Sequence, residues 1–312
     1  MPLPIRILHW PMLVSALVVL TACGDSSRID PSRINPHSPS VPPDAGAVVC
    51  ENRDELRQPY FGDLHVHTKY SVDAEIFGTH NGPAEAYAFG RGATLDLGPI
   101  DPAQPSQLIH LNRPLDFLAV TDHSEGYGFS HVCETPSDPG YSAPECVVYR
   151  GGLPLPTQIR FLTVAGAVLN PVPVGPAVCR TPGVDCPAGA ATVWGDIRAA
   201  AKAANDPCHF TSFVGYEWSA TPGNANLHRN VIFANDQVPD QAISYTDTGS
   251  SDVTQLWSKL QTACKDGVPG CDVLTIAHNS NVSMGLMFTD PKDATEAANR
   301  QIWEPLVEIT QH

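Results

Sequence analysis

With 312 residues, the chain is long enough for one large domain or two small ones. Its formal net charge of -15, from 33 acidic against 18 basic side chains, excludes a general nucleic-acid binder, because phosphate backbones select for lysine and arginine. The same charge leaves room for one small anionic substrate beside a metal ion, whose own charge dominates its neighbourhood.

The chain opens on "MPLPIRILHWPMLVSALVVLTAC", with Arg6 ahead of an apolar run Met12–Leu20 and small residues leading to Cys23. That is the layout of a secretory signal over residues 1–23, too short to remain as a membrane-spanning helix. The tetrad "LTAC" (Leu20–Cys23) resembles the bacterial lipoprotein signal. It implies lipidation of Cys23 after cleavage and an exported protein held to the cell envelope, in the periplasm or at the outer membrane, through its lipid alone. The alternative is a plain signal peptide with a coincidental cysteine. Residues 24–49, rich in Pro and Ser and without periodicity, read as an extended tether to a domain at 50–312.

From there the elements alternate. Five apolar runs read as buried strands: "YFGDLHVHT", "LDFLAVTDHSE", "FTSFVGYEWS", "DVLTIAHNSN" and "PLVEITQH". Helical patterns lie between several of them: "PAEAYAFGRGA", "ATVWGDIRAAAKAAN", "DVTQLWSKLQTAC" and "DATEAANRQIW". Strands alternating with helices predict βα units and a mostly parallel sheet. "NLHRNVIFAND" reads as an inserted strand or half of a hairpin, and the Pro/Gly-rich stretch from Cys133 to Cys186 as disulfide-stapled excursions.

Setting Cys23 aside leaves eight of the nine cysteines, an even number that in an oxidising compartment predicts disulfides. Cys133–Cys146, Cys179–Cys186 and Cys264–Cys271 each enclose a short loop, and by elimination Cys50 pairs with Cys208. None shows the C-x-x-C spacing of a zinc ribbon or redox motif.

Loops at the C-terminal ends of parallel strands converge on one face, and here each strand end carries chemistry. His65, His67 and Asp73 follow the first strand, Asp122, His123 and Glu125 the second. Glu217 ends the third, His228 lies in "NLHRN", and His278 with Asn279 ends the fourth. Imidazole and carboxylate without thiolate suit zinc, manganese or iron, and so many groups exceed one tetrahedral site, so two or three divalent ions are expected. His9, His37, His80, His110, His131 and His209 read as ordinary surface or core residues. No G-x-S-x-G elbow, G-x-x-x-x-G-K-[ST] phosphate loop or H-E-x-x-H helix is present.

"DLHVHTKYS", "AVTDHSE", "GYEW", "NLHRN" and "IAHNSN" together resemble the polymerase and histidinol phosphatase (PHP) superfamily, in particular its exported bacterial branch, domain of unknown function 3604. The resemblance runs from about Tyr60 onward. It implies an α/β fold, a distorted (β/α)7 barrel with metals at the strand ends. It also implies that His65 and His67 hold a first ion and that Glu217 bridges it to a second. His123 and His228 would serve that second ion, and His278 a third position. Asp73 stands one residue further from His67 than the common pattern has it. The superfamily's late Asp-x-His does not follow His278, which predicts a C-terminally truncated frame and an incomplete barrel.

The expected activity is that of a metal-dependent hydrolase, foremost a phosphoesterase, with amide, lactone or ester hydrolysis as the alternative chemistry. A non-catalytic metal- or ligand-binding lipoprotein is the alternative class. Asp122 is expected to orient His123, and Arg229 or Asn279 to contact an anionic substrate.

Overall fold

Backbone pairing starts where the first apolar run starts. In the computed structural model, which describes Cys50 and residues 58–98, 105–169 and 172–309, the first strand is β1 (Gly62–Val66). The expected signal segment, Cys23 and the tether lie outside the described residues, and all that follows belongs to one unit, Val48–His312. After β1 come α1 (Val72–Ile76), α2 (Pro83–Gly90), a two-stranded ribbon of β2 (Leu95–Asp96) with β3 (Leu108–Ile109), and β4 (Phe117–Val120). Helices α3 (Tyr127–Glu134), α4 (Pro144–Tyr149), α5 (Thr157–Val168) and α6 (Cys186–Ala204) precede β5 (Thr211–Phe213), β6 (Gly215–Ala220) and β7 (Leu227–Phe233). The order closes with α7 (Tyr245–Thr248), α8 (Val253–Leu260), β8 (Val273–Ala277), α9 (Ala294–Trp303) and β9 (Leu306–Val307).

β1 and β5 flank β4, both parallel to it, while β6 and β8 flank β7, both antiparallel to it, and β9 runs parallel to β8. The two sheets meet at the site. Only Val214 separates β5 from β6, and the Glu217 amide donates to the Asp122 carbonyl at 2.9 Å, so pairing along the β4 direction continues into β6. The mostly parallel sheet expected from the sequence is therefore mixed. The reason is local: a single turn at Pro222–Asn224, with Gly223 in the left-handed region at φ 57°, returns the chain directly. A parallel return needs a crossover of a dozen or more residues. "NLHRNVIFAND" is the second arm of that hairpin.

The fold is thus mixed α/β, and among the described residues no ladder closes between β1 and β9. Side chains span the gap instead. His65 Nδ1 lies 2.7 Å from Glu308 Oε2 just past β9, and Asn230 of β7 donates its amide to the Leu64 carbonyl at 3.1 Å.

Alternation sorts the two faces. On β6, Tyr216 and Trp218 join the main core with Leu118 and Val120 of β4, Trp194 and Ile197 of α6, and Leu256, Trp257 and Leu260 of α8. Glu217 and Ser219 point the other way. On the inner side Ala119, Ile232 and Ile276 make a small cluster with Leu64, Phe213 and Leu274. The helices start at sequence signals: the Asp185 carboxylate accepts from the Ala188 amide at 3.0 Å, and that of Asp293 from the Glu296 amide at 2.8 Å.

The Cys133–Cys186 region is more regular than expected. α3, α4 and α5 surround a cluster of their own, Phe129, Val132, Tyr149, Val164 and Val168, with Cys133, Cys146 and Cys186 inside it. Its helices escape sequence reading because α4 is six residues long and α5 buries only two side chains, leaving no apolar stripe to recognise. All four expected disulfides are present: Cys50–Cys208, Cys133–Cys146, Cys179–Cys186 and Cys264–Cys271. Their number accords with an exported protein. No described helix is long and apolar enough to cross a membrane.

Candidate metal centre

His65 and His67, two apart on β1 and the loop beyond it, share one face of the strand. His123 follows β4 and His278 follows β8. His228 stands at the start of β7, and because β7 is antiparallel its start lies at the rim where its neighbours end. Strand register places Ser219 opposite His228, and Glu217 opposite Asn230.

Glu217 is the hub, with a side chain only 1% exposed. Its Oε2 lies 2.9 Å from His67 Nε2 and 3.4 Å from His65 Nε2. Its Oε1 lies 2.7 Å from His228 Nδ1, 3.2 Å from His123 Nδ1 and 3.3 Å from His278 Nε2. One carboxylate thus faces all five imidazoles and divides them between its two oxygens. Asp73 adds a second acid, its Oδ2 3.1 Å from His67 Nδ1 and 3.6 Å from His123 Nε2. Four overlapping triads bring their ligand atoms within 4.8 Å of one another: His65–His67–Glu217, His67–Asp73–His123, His123–Glu217–His228 and His65–His278–Glu308.

Glu308 is a residue the sequence reading missed. It closes the last triad from just beyond β9, and its signal was the one that nominated Glu217: an acid ending a short apolar run. Thr68, Ser71 and Ser219 were also missed; as ordinary hydroxyls they give no sequence signal.

Two expected roles are corrected. Asp122 does not orient His123. Its carboxylate, in the loop after β4, instead accepts from the Thr68 amide and, at 2.7 Å, from the Thr68 hydroxyl. With the His123 amide donating to Ser71 Oγ at 2.9 Å, it clamps the loop after β1 to the loop after β4. Arg229 does not face a substrate. Neighbouring residues on a strand face oppositely, so with His228 in the site Arg229 turns outward, where Nε donates to Glu304 Oε1 at 2.9 Å. Both side chains of that pair are under 5% exposed. Asn279, at φ 67°, sets its amide 3.0 Å from His228 Nδ1 and so touches a candidate ligand. Glu125 is structural: its Oε1 accepts from the amides of Ser219 and Tyr245 at 3.1 and 2.6 Å.

The electrostatics follow from burying charges together. Burial pushes the Glu217 carboxyl up, but His123, His278 and His228 outweigh it and hold the acid well below its usual range. Burial pushes His67 down; Asp73 and then Glu217 reverse this, and the ring is raised to about 10. His123 is likewise raised by Glu217 and Asp73 against burial. For His228 burial wins, lowering it to about 4, and His278 is lowered for the same reason. His228 and His278 are thus pushed toward the neutral donor form by burial, while carboxylates raise His65, His67 and His123, where a bound ion would take the place of a proton.

Whether the residues fit a metal is tested by their unused atoms. His228 Nε2 and His278 Nδ1 are buried without a hydrogen-bond partner, and His278 Nε2 has only its 3.3 Å ion-pair contact with Glu217. Imidazole nitrogens so placed cost free energy unless they coordinate something. The donor set, imidazole with carboxylate, suits a borderline divalent cation such as zinc, manganese or iron(II). Beside the centre a cavity of about 800 Å³ runs between β1 and β9, lined by Asp63, His65, His67, Asp73 and Glu308 on its polar side and by Leu64, Phe117, Ile276, Leu306 and Val307 on its apolar side.

No curated protein and no solved structure matches the chain. A family model does, over residues 54–312, described as "Protein of unknown function (DUF3604)", and the chain therefore belongs to that family.

Proposed function

We propose that the chain is an exported metal-dependent hydrolase of the PHP type, acting foremost on phosphoesters. The observation that carries this reading is Glu217, whose two oxygens face two groups of imidazoles, as a bridging ligand between neighbouring ions would. Two or three divalent ions, if held there, would supply Lewis acidity and a water nucleophile at neutral pH. The chain's own residues hold and aim. His65, His67, His123, His228 and His278 present nitrogen donors, while Asp73 and Glu308 fix the rings of His67 and His65 from behind. The barrel architecture is part of the proposal; it is supported by the contact of β7 with β1 and by the meeting of His65 with Glu308. Lipidation at Cys23 with attachment to the envelope, a small anionic substrate and no nucleic-acid partner complete the reading.

A second chemistry, hydrolysis of an amide, lactone or other carbonyl ester, is favoured by one feature. Among the described residues the cavity lining includes no lysine or arginine to meet a phosphate, and about half of it is apolar. Assay of the manganese- or zinc-loaded protein against phosphomonoesters, phosphodiesters, esters and amides separates the two. Phosphoester turnover lost in Glu217→Gln supports the first reading. Ester or amide turnover alone replaces it with the second, and metal content with no turnover leaves a metal-binding surface protein.

A further inference from the structure

We infer that Ser219 fixes the ring of His123 with its proton on Nδ1, so that His123 offers Nε2 to the His67–Asp73 corner of the cluster and withholds Nδ1 from the Glu217–His228 corner. The consequence for ligation rests on the metal reading above; the hydrogen-bond argument does not.

His123 stands between two of the triads. Its Nε2 is 3.6 Å from Asp73 Oδ2, and its Nδ1 is 3.2 Å from Glu217 Oε1. A neutral imidazole has one lone pair in its plane to give, so the ring serves one corner only. The family resemblance implied that it serves, with His228, the ion beside Glu217.

The Ser219 hydroxyl decides otherwise. Its Oγ lies 2.6 Å from His123 Nδ1 and 3.2 Å from Glu217 Oε1. A hydroxyl owns one proton, and a carboxylate can only accept. The serine proton therefore goes to Glu217, and the serine oxygen accepts from Nδ1–H of His123. The opposite arrangement, a bare Nδ1 taking the serine proton, would leave the hydroxyl oxygen facing the carboxylate with no proton between them.

Ser219 is held for this task. It lies two residues from Glu217 on β6 and so on the same face, its amide is bonded to Glu125, and its side chain is fully buried. With no exposed surface there, no solvent molecule replaces the hydroxyl if it is removed. Hydrogen-bond partners that set tautomer and ring direction behind a metal-binding histidine commonly change metal affinity by 10–100-fold.

The test uses ¹⁵N-labelled protein loaded with ¹¹³Cd. The expected result is cadmium–nitrogen coupling at His123 Nε2 and a long-range proton correlation showing Nδ1–H. Ser219→Ala should lose that selectivity and about 10–100-fold in affinity for one cadmium ion, with Ser219→Thr recovering both. Coupling at Nδ1 in the unaltered protein, which needs no variant to fold, would overturn the assignment, as would a wild-type pattern in Ser219→Ala. Protein that binds no cadmium would instead sink the metal reading. The metal-free ring, which Glu217 and Asp73 hold doubly protonated at neutral pH, then decides on Ser219 once raised pH has removed one proton: a proton remaining on Nδ1 supports the inference, and one remaining on Nε2 refutes it.

Discussion

One buried carboxylate organises five rings, and removing its charge removes their common partner. Glu217→Gln should abolish binding of at least one ion, read as metal content per chain by elemental analysis against His80→Ala, whose exposed ring pairs with Glu75 away from the cluster. Unchanged metal content in Glu217→Gln would refute the ligand assignment. The raised value of His67 gives a pH dependence with a definite sign. A base whose folded value, about 10, exceeds its ordinary 6.5 stabilises the metal-free fold fully below about 6.5, and that contribution is lost as pH rises through about 10. His228, lowered to about 4 by burial, acts oppositely: stability falls as pH drops from 6.5 toward 4, where only the unfolded chain takes the proton. The metal-free protein should therefore melt highest between these limits. Adding zinc at neutral pH should release protons, a release that shrinks as pH approaches 10, measurable by titration calorimetry in buffers of different ionisation enthalpy. At this scale much of the site was legible. H-x-H, "TDH" and an acid after an apolar run are unusual expenditures, and His65, His67, Asp73, His123, Glu217, His228 and His278 do come together. Glu308 carries the signal that nominates Glu217, but its pairing with His65, 243 positions away, was not legible, and Ser219 was not because nothing distinguishes one serine from another before its neighbours are known.

Strands and the longer helices were readable from apolar period and flanking caps, and the errors arose where facing, not existence, had to be judged. Arg229 beside His228 looked like a substrate contact, yet pleating sends it to the outer face and into a buried pair with Glu304. Glu304→Ala leaves that guanidinium uncompensated and should cost about 3–5 kcal/mol, measured by denaturant unfolding. A loss below about 1 kcal/mol would mean that Arg229 reaches water and is free to act elsewhere. Close packing of α3 on α6 depends on Gly128, where a Cβ would collide with the backbone and side chain of Cys186. The sheet's mixed sense was hidden for a related reason: the sequence reports that β6 and β7 are strands, but the shortness of the Pro222–Asn224 turn alone reports their direction.

Four disulfides brace the molecule unequally. Cys50–Cys208 closes 158 residues, whereas the other three close 13, 7 and 7. In the chain-entropy account the long closure stabilises by about 5 kcal/mol and the shortest by about 2. The paired Cys50→Ser, Cys208→Ser variant should therefore lower the unfolding midpoint more than the Cys264→Ser, Cys271→Ser variant does; the reverse order would show that native packing around Cys264 and Cys271 matters more than loop length.

The contact between His65 and Glu308 has an implication for how the protein acquires its ions. Donors drawn from nearly opposite ends of the sequence are strangers until the whole chain has been made and folded, so a nascent chain has no complete pocket to load. Whatever cation enters is met after folding, and in a protein exported as proposed its identity would reflect the supply outside the cytosol rather than the thermodynamic preference of the ligands.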